Sequence, residues 1–145
     1  MDTNPVIISM ISASKYNSKN DHFVQAINLS TTLTPAGVGL AEARVNVPAT
    51  YPQVVELKAT IGLRGDVGTG SVLFRIFRDG QVIYYARLGL ESGLEKYYLP
   101  TIQAIDVNPP AGSHGYTLSI ESLTPGLTAT VIGPITLSAL VINAL

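Results

Sequence analysis

SVLFRIFRDGQVIYYARLGL, residues 71–90, reads as two β-strands folded back on each other around Asp79-Gly80. A two-residue hairpin turn needs positive φ at its central positions, which Asp tolerates and Gly accepts at no steric cost. The turn sets an expected register: Arg78 opposite Gln81, Phe77 opposite Val82, Ile76 opposite Ile83, Arg75 opposite Tyr84 and Phe74 opposite Tyr85. One side of the ribbon then carries Phe77, Val82, Arg75 and Tyr84, and the other Ile76, Ile83, Phe74 and Tyr85. Both sides are largely apolar, whereas a sheet with one solvated face alternates cleanly, so this hairpin is expected to be covered on both sides. That points to a sandwich and to contacts between subunits.

Working outward, short β-type runs recur between Gly, Pro and Asn/Asp punctuation, with no amphipathic helix of useful length. They fall at 6–13, 23–29, 40–47, 54–63, 72–77, 82–88, 96–107 (open to a split at Pro100), 116–121, 128–132 and 135–142. Eight to ten strands in one small domain predict an all-β chain, an antiparallel β-sandwich of the jelly-roll type. Alternation is cleanest at 54–63, where Val55, Leu57, Ala59, Ile61 and Leu63 share a face, and at Tyr116, Leu118 and Ile120. Gly62, Gly65, Gly68 and Gly70 with Asp66 read as one flexible connection, 108–113 as another, and Thr124-Pro125-Gly126 as a turn. Pro134 cannot donate to a ladder, so it marks an edge, a bulge or a break between two strands.

The chain has 145 residues, enough for one domain that buries roughly 70% of the surface of its unfolded form. It divides into an N-terminal arm or first strand plus polar hinge at 1–22 and a single sandwich at 23–145. Charged residues make up 13% of the chain, about half the ~25% usual for soluble domains, so a solitary monomer is not expected. A formal net charge of −1 gives no reason to expect nucleic acid or an anionic membrane as partner. There is no Cys, which excludes disulfides and thiolate zinc sites. The start, MDTNPVIISMISAS, lacks a basic n-region and its apolar run is too short to span a bilayer. Synthesis in the cytoplasm without a signal peptide is the expectation.

Candidate chemistry is sparse. The two histidines are His22, in KYNSKNDHF, and His114, in the loop SHG. A hydrolytic triad can be written from His114, Asp106 and one of many serines, but no nucleophile-elbow motif accompanies it, and His114 reads as a turn residue bonding its own backbone. Asp21, Asp66, Asp79 and Asp106 are isolated, whereas calcium wants several ligands at close loop spacing. GDVGTG lacks the Lys-Ser/Thr and helix of a phosphate loop. No catalytic residue, cofactor or metal ligand is therefore assigned.

Tyr84, Tyr85, Tyr97, Tyr98 and Tyr116 offer aromatic area with a polar tip, which suits subunit interfaces and also carbohydrate stacking. Arg75 and Arg78 are expected to pair across the strand with tyrosine rings or with Asp79, Glu91 or Glu95. The arm PVIISMISA, residues 5–13, is β-prone and uncharged, so leaving it free would invite edge pairing. Either it pairs within its own sandwich, with 15–21 as a turn, or 15–21 is a hinge and the arm adds to the next subunit, which is the version favoured. The residues expected to mediate self-association are Val6, Ile7, Ile8, Met10, Ile11, Phe74, Ile76 and Tyr85.

VLFRIFRDG with its aromatic return strand, LGLES, IQAIDVNPPAGSHGYTLSIESLTP and the closing VIGPITLSALVI resemble the exosporium protein C family of endospore-forming bacteria. The resemblance covers residues 54–142 and is weaker over 1–48. Those proteins are similar in style to the C-terminal domains of spore-surface collagen-like glycoproteins, which are jelly rolls related to tumour necrosis factor and complement C1q. No Gly-X-Y stalk is present here. The resemblance implies a non-catalytic structural protein of the spore surface, partnering itself in a homo-oligomer, lattice or fibre, and other spore-surface proteins. The competing expectation is a trimeric C1q/TNF-like or phage-fibre-like binding head that recognises a carbohydrate or protein receptor.

Overall fold

The computed structural model describes residues 7–14, 27–28, 37–50 and 52–143, the first two stretches by backbone alone. Among the described residues ten strands and no helix are present: β1 (Ile7–Ser14), β2 (Ile27–Asn28), β3 (Val38–Val47), β4 (Gln53–Val67) and β5 (Thr69–Arg78) make the first half. The second half is β6 (Gln81–Glu91), β7 (Tyr97–Tyr98), β8 (Thr101–Val107), β9 (Gly112–Ser122) and β10 (Thr128–Asn143).

The Asp79-Gly80 turn is the tip of the whole roll. Asp79 has φ 48° and Gly80 φ 86°, as a tight hairpin of this hand requires. Outward from that tip the chain pairs with itself as one long antiparallel hairpin: β5 with β6, β4 with β8, β3 with β9 and β1 with β10. Rolling the hairpin then joins β10 to β4 and β9 to β5. The result is two antiparallel sheets, β1-β10-β4-β8 facing β3-β9-β5-β6, with β2 on β10 and β7 on β4 as short additions. This strand order is that of a jelly-roll sandwich.

The core lies between the sheets. Val55, Leu57, Ala59, Ile61 and Leu63 point inward from β4 and none exceeds 1% exposure, as the alternation of that segment predicts. Tyr116, Leu118 and Ile120 meet them from β9. The expected hairpin register holds for Arg78–Gln81 and Phe77–Val82, then slips by one at Ile83, so that Ile76 faces Tyr84, Arg75 faces Tyr85 and Phe74 faces Ala86. A bulge of this kind moves every later residue of β6 to the opposite face. Tyr84 therefore packs toward the core and Tyr85 toward solvent. Because the second sheet packs on one face alone, the hairpin is covered on its inner face and only half-covered on its outer one.

Gly62, Gly65 and Pro134 sit within long strands. Gly62 and Gly65 lie inside β4, which runs on to Val67, so the connection to β5 is a turn at Gly68. A Cβ on Gly62 would sit 1.8 Å from the Gly133 carbonyl oxygen, so the glycine is there for close approach of β10. Of the alternatives at Pro134 the bulge is the one found, between Val131, opposite Leu63, and Ile135, opposite Ile61, so that the runs 128–132 and 135–142 form the single strand β10; the Gly133–Pro134 peptide is cis. Finally, β1 pairs along its length with β10 of its own chain, the in-chain version of the arm. The polar stretch 15–21, His22 and most of the 23–29 strand lie outside the described residues.

Candidate functional site

The outer face of the β1-β10-β4-β8 sheet changes character along its length. Ile142, Val54 and Val107 stand in register across β10, β4 and β8, and Leu140, Glu56 and Ile105 form the next row on the same face. Ile105 is 57% exposed and Val107 72%, while Val54, Leu140 and Ile142 are half-buried. Beyond a Lys58–Glu56 ion pair of 3.1 Å come wholly polar rows, Ser138–Lys58–Gln103 and Thr136–Thr60–Thr101. Isolated exposed aliphatics are ordinary on protein surfaces; a contiguous set with a polar surround marks an interaction surface. Ile105 and Val107 sit on an edge, since among the described residues β8 pairs with β4 alone.

The predicted association residues separate. Met10 and Ile11 take register positions in β1 opposite Leu140 and Ala139, and Ile7 lies opposite Ile142, with Ile8 at the adjacent bulge. Val6 lies outside the described residues. Phe74 and Ile76 are 1% and 0% exposed and fill the core between the sheets, so they offer nothing to a partner. Tyr85 is 61% exposed on the opposite sheet. The aliphatics that sequence reasoning missed, Val54, Ile105, Val107, Leu140 and Ile142, had a signal in TIQAIDV: Ile105 and Val107 alternate against Ile102, Ala104 and Asp106, an apolar residue on each face.

A polar cluster closes the sandwich near the hairpin tip. Asp106 points inward from β8 and accepts two hydrogen bonds from Arg78 Nη1, both 2.8 Å, and one of 2.6 Å from the Tyr116 hydroxyl. It thus joins the two sheets. Asp79 accepts from the Gly115 amide (2.9 Å) and lies 2.5 Å from His114 Nδ1, whose Nε2 lies 2.5 Å from the Pro110 carbonyl. With acceptors on both nitrogens, the imidazolium is the form that donates twice. Burial pulls the His114 pKa down, but the Asp79 carboxylate and the Pro110 carbonyl outweigh it and the net shift is upward. Asp79 is held below the usual carboxylate range, first by the bond from His114 and then by the Gly115 amide. Burial, then the Asp106 carboxylate, pushes the Tyr116 hydroxyl up.

His114 is 8% exposed, at an inward position of β9 rather than in a loop, because that strand begins at Gly112. Its partners are Asp79 and Pro110, and Asp106 is engaged by Arg78 and Tyr116, so the written triad of His114 and Asp106 is not assembled. The arginines also find other partners than expected: Arg75 pairs with Glu121 and Arg78 with Asp106. Expectation considered only the β5–β6 hairpin, whereas β9 lies on the other side of β5 and supplies Glu121. Among the described residues, no group of three His, Cys, Asp or Glu side chains is placed to hold a metal ion.

No family model matches the chain, and no curated protein does. Among solved structures the chain is similar to a family 35 carbohydrate binding module from Clostridium thermocellum, at 16% identity and a TM-score of 0.34, covering 97% of this chain and 99% of that one. It is also similar to a family 35 carbohydrate binding module from an environmental isolate, at 14% identity and a TM-score of 0.35, covering 92% of each chain. Superpositions this loose carry no ligand and no site across.

Proposed function

We propose that this chain is a non-catalytic jelly-roll building block that associates with copies of itself through the outer face of its β1-β10-β4-β8 sheet. The observation that carries the reading is the pair of in-register rows Ile142–Val54–Val107 and Leu140–Glu56–Ile105, bordered by serine and threonine. Five aliphatic side chains make the centre of an interface rather than the whole of it, since a stable one buries about 800 Å² per partner. The neighbouring Ser/Thr rows supply a hydrogen-bonding rim. The resemblance of residues 54–142 to the exosporium family supports setting this assembly in the outer layer of a bacterial endospore, with other spore-surface proteins as further partners. Light scattering of the wild type and of the Ile105→Glu/Val107→Glu double variant tests it. The wild type is expected to be oligomeric and the variant monomeric and folded; a monodisperse wild-type species of 15.3 kDa overturns the proposal.

A second reading, a binding head for a carbohydrate receptor, is favoured by one observation. At the far end of the same sheet an exposed tyrosine borders a shallow depression beside an Arg–Asp pair.

A further inference from the structure

The far end of that sheet is built around β7. Between β6 and β8 the chain leaves Leu94, Tyr97 and Leu99 exposed within six residues, at 101%, 63% and 62%. This density of exposed apolar groups is unusual, and the segment carrying it is pinned. The Gly65 amide donates to the Lys96 carbonyl (2.7 Å) and the Ile61 amide to the Pro100 carbonyl (3.1 Å). The Tyr98 hydroxyl donates to the Glu95 carbonyl (2.7 Å) and accepts from the Glu91 amide (3.0 Å). Tyr97 is thereby held on a fixed backbone beside a depression of about 280 Å³ lined also by Leu99, Gly62, Ile132, Gly133 and Pro134. Its floor includes bare backbone, because Gly62 and the Gly133 carbonyl meet too closely for a side chain.

Polar groups stand next to the ring. Arg64 is the cross-strand partner of Tyr97, and its Nε donates to Asp66 Oδ1 at 2.6 Å, while the Thr130 hydroxyl donates to Asp66 Oδ2 at 2.5 Å. Lys96 Nζ lies 5.7 Å from the Tyr97 ring centroid. A guanidinium has five N–H groups and a carboxylate about four lone-pair positions, so the pair retains capacity after bonding to itself. An apolar ring beside hydrogen-bonding groups of both kinds matches one ligand chemistry in particular, a pyranose. Such a sugar has an apolar C–H face that stacks on an aromatic ring and hydroxyls that both donate and accept. The volume sits at the lower limit for small-molecule sites, roughly 300 Å³, and so suits a single sugar residue at the end or side of a glycan.

We infer that the depression bordered by Tyr97, Leu99 and Pro134, with Arg64 and Asp66 at its side, is a saccharide-binding site for one pyranose unit. The site rests on the second reading above and supplies its residues. It begins at Gly62, six residues along β4 from the nearer aliphatic row at Glu56, roughly 20 Å at the rise of a strand. Saturation-transfer difference NMR on the full chain, with the methyl α- and β-glycosides of glucose, galactose, mannose and N-acetylglucosamine as probes, tests it. At least one probe is expected to receive saturation, strongest on the protons of one ring face. Tyr97→Ala should weaken that binding about tenfold or more, while Tyr97→Phe should retain it, because the ring and not the hydroxyl makes the contact. If no glycoside receives saturation, this site and the second reading both fall. If one binds and Tyr97→Ala leaves it unchanged, carbohydrate binding stands and this site is wrong. Loss of self-association on Tyr97→Ala would make the ring a subunit contact and overturn the inference.

Discussion

Replacing Asp106 by Ala should cost more stability than any other single change at a charged residue of this fold. Asp106 is 7% exposed and accepts three hydrogen bonds, two from Arg78 and one from Tyr116, which is 0% exposed. The truncation leaves the tyrosine hydroxyl without a partner, about 1–3 kcal/mol. It also leaves a guanidinium at the sheet interface without its counter-charge; breaking a buried pair costs about 3–5 kcal/mol, and the Arg78 side chain, 23% exposed, recovers part of that from water. A loss of about 3–4 kcal/mol follows, a large share of the roughly 5–15 kcal/mol typical of a domain. Tyr116→Phe removes only one bond and should cost about 1 kcal/mol. The double variant should be no worse than Asp106→Ala alone, because the phenylalanine removes the orphaned hydroxyl. Urea unfolding followed by tyrosine fluorescence measures all three, the chain having no Trp. If Asp106→Ala shifts stability by no more than about 0.5 kcal/mol, as an ordinary surface change does, the claim that this carboxylate ties the sheets together is wrong.

Gly62→Ala drives a methyl group into the Gly133 carbonyl and should prevent folding or cost several kcal/mol, roughly 3 or more, in thermal melts; a neutral outcome would mean the β4–β10 bulge is not as tight as described. The His114–Asp79 pair gives stability a pH window. His114 is raised above its ordinary 6.5, so its contribution is complete below that value and is lost as pH rises through the folded-state pKa; Asp79 is lowered below its ordinary 3.8, so its contribution is present above that value and lost as pH falls through its own. The melting temperature should decline on the alkaline side of the window and His114→Gln should flatten that decline; an unchanged slope would remove the pair from the account. Phe74→Ala should cost about 3–5 kcal/mol without altering the association state of the molecules that remain folded, and selective loss of association would return Phe74 to the interface. Deleting residues 1–14 removes the partner of β10 along Ile7–Ser14 and should give an insoluble or unfolded product; a folded, soluble remainder that no longer assembles would revive the arm as an intersubunit connector.

What could be read from the sequence was local and periodic. The Asp79-Gly80 turn, the inward face of β4 and the break before Thr101 follow from two-residue periodicity and turn chemistry, which act over a few neighbours. The errors share a different cause. Register along β5–β6 was propagated rigidly from the turn, and a bulge at Ile83, invisible in composition, exchanged Tyr84 and Tyr85 between faces. Phe74 and Ile76 are core for a different reason: they share the inward face of β5 beside Ile120 and Leu118 of β9. His114 does bond nearby backbone, at Pro110, but its other partner Asp79 and the partners of Arg75 and Arg78 lie 28 to 46 positions away and meet them only when the long hairpin is rolled.

The proposed association surface is hidden in the sequence for the same reason. Val54, Ile105, Leu140 and Ile142 are separated by most of the chain, and their alignment depends on β10 lying between β1 and β4, a pairing that local pattern does not specify. β8 and the C-terminal end of β10 keep apolar residues on both faces, whereas β4 alternates with Glu56 and Lys58. Apolar residues on both faces are the mark of a strand covered on both sides. The topology adds what composition does not contain, that these segments lie side by side on one face of one sheet. In the rows they form, the one carboxylate, Glu56, is paired with Lys58, so the proposed docking face presents a neutralised charge, while Arg78–Asp106 ties the two sheets together and Arg75–Glu121 joins β5 to β9.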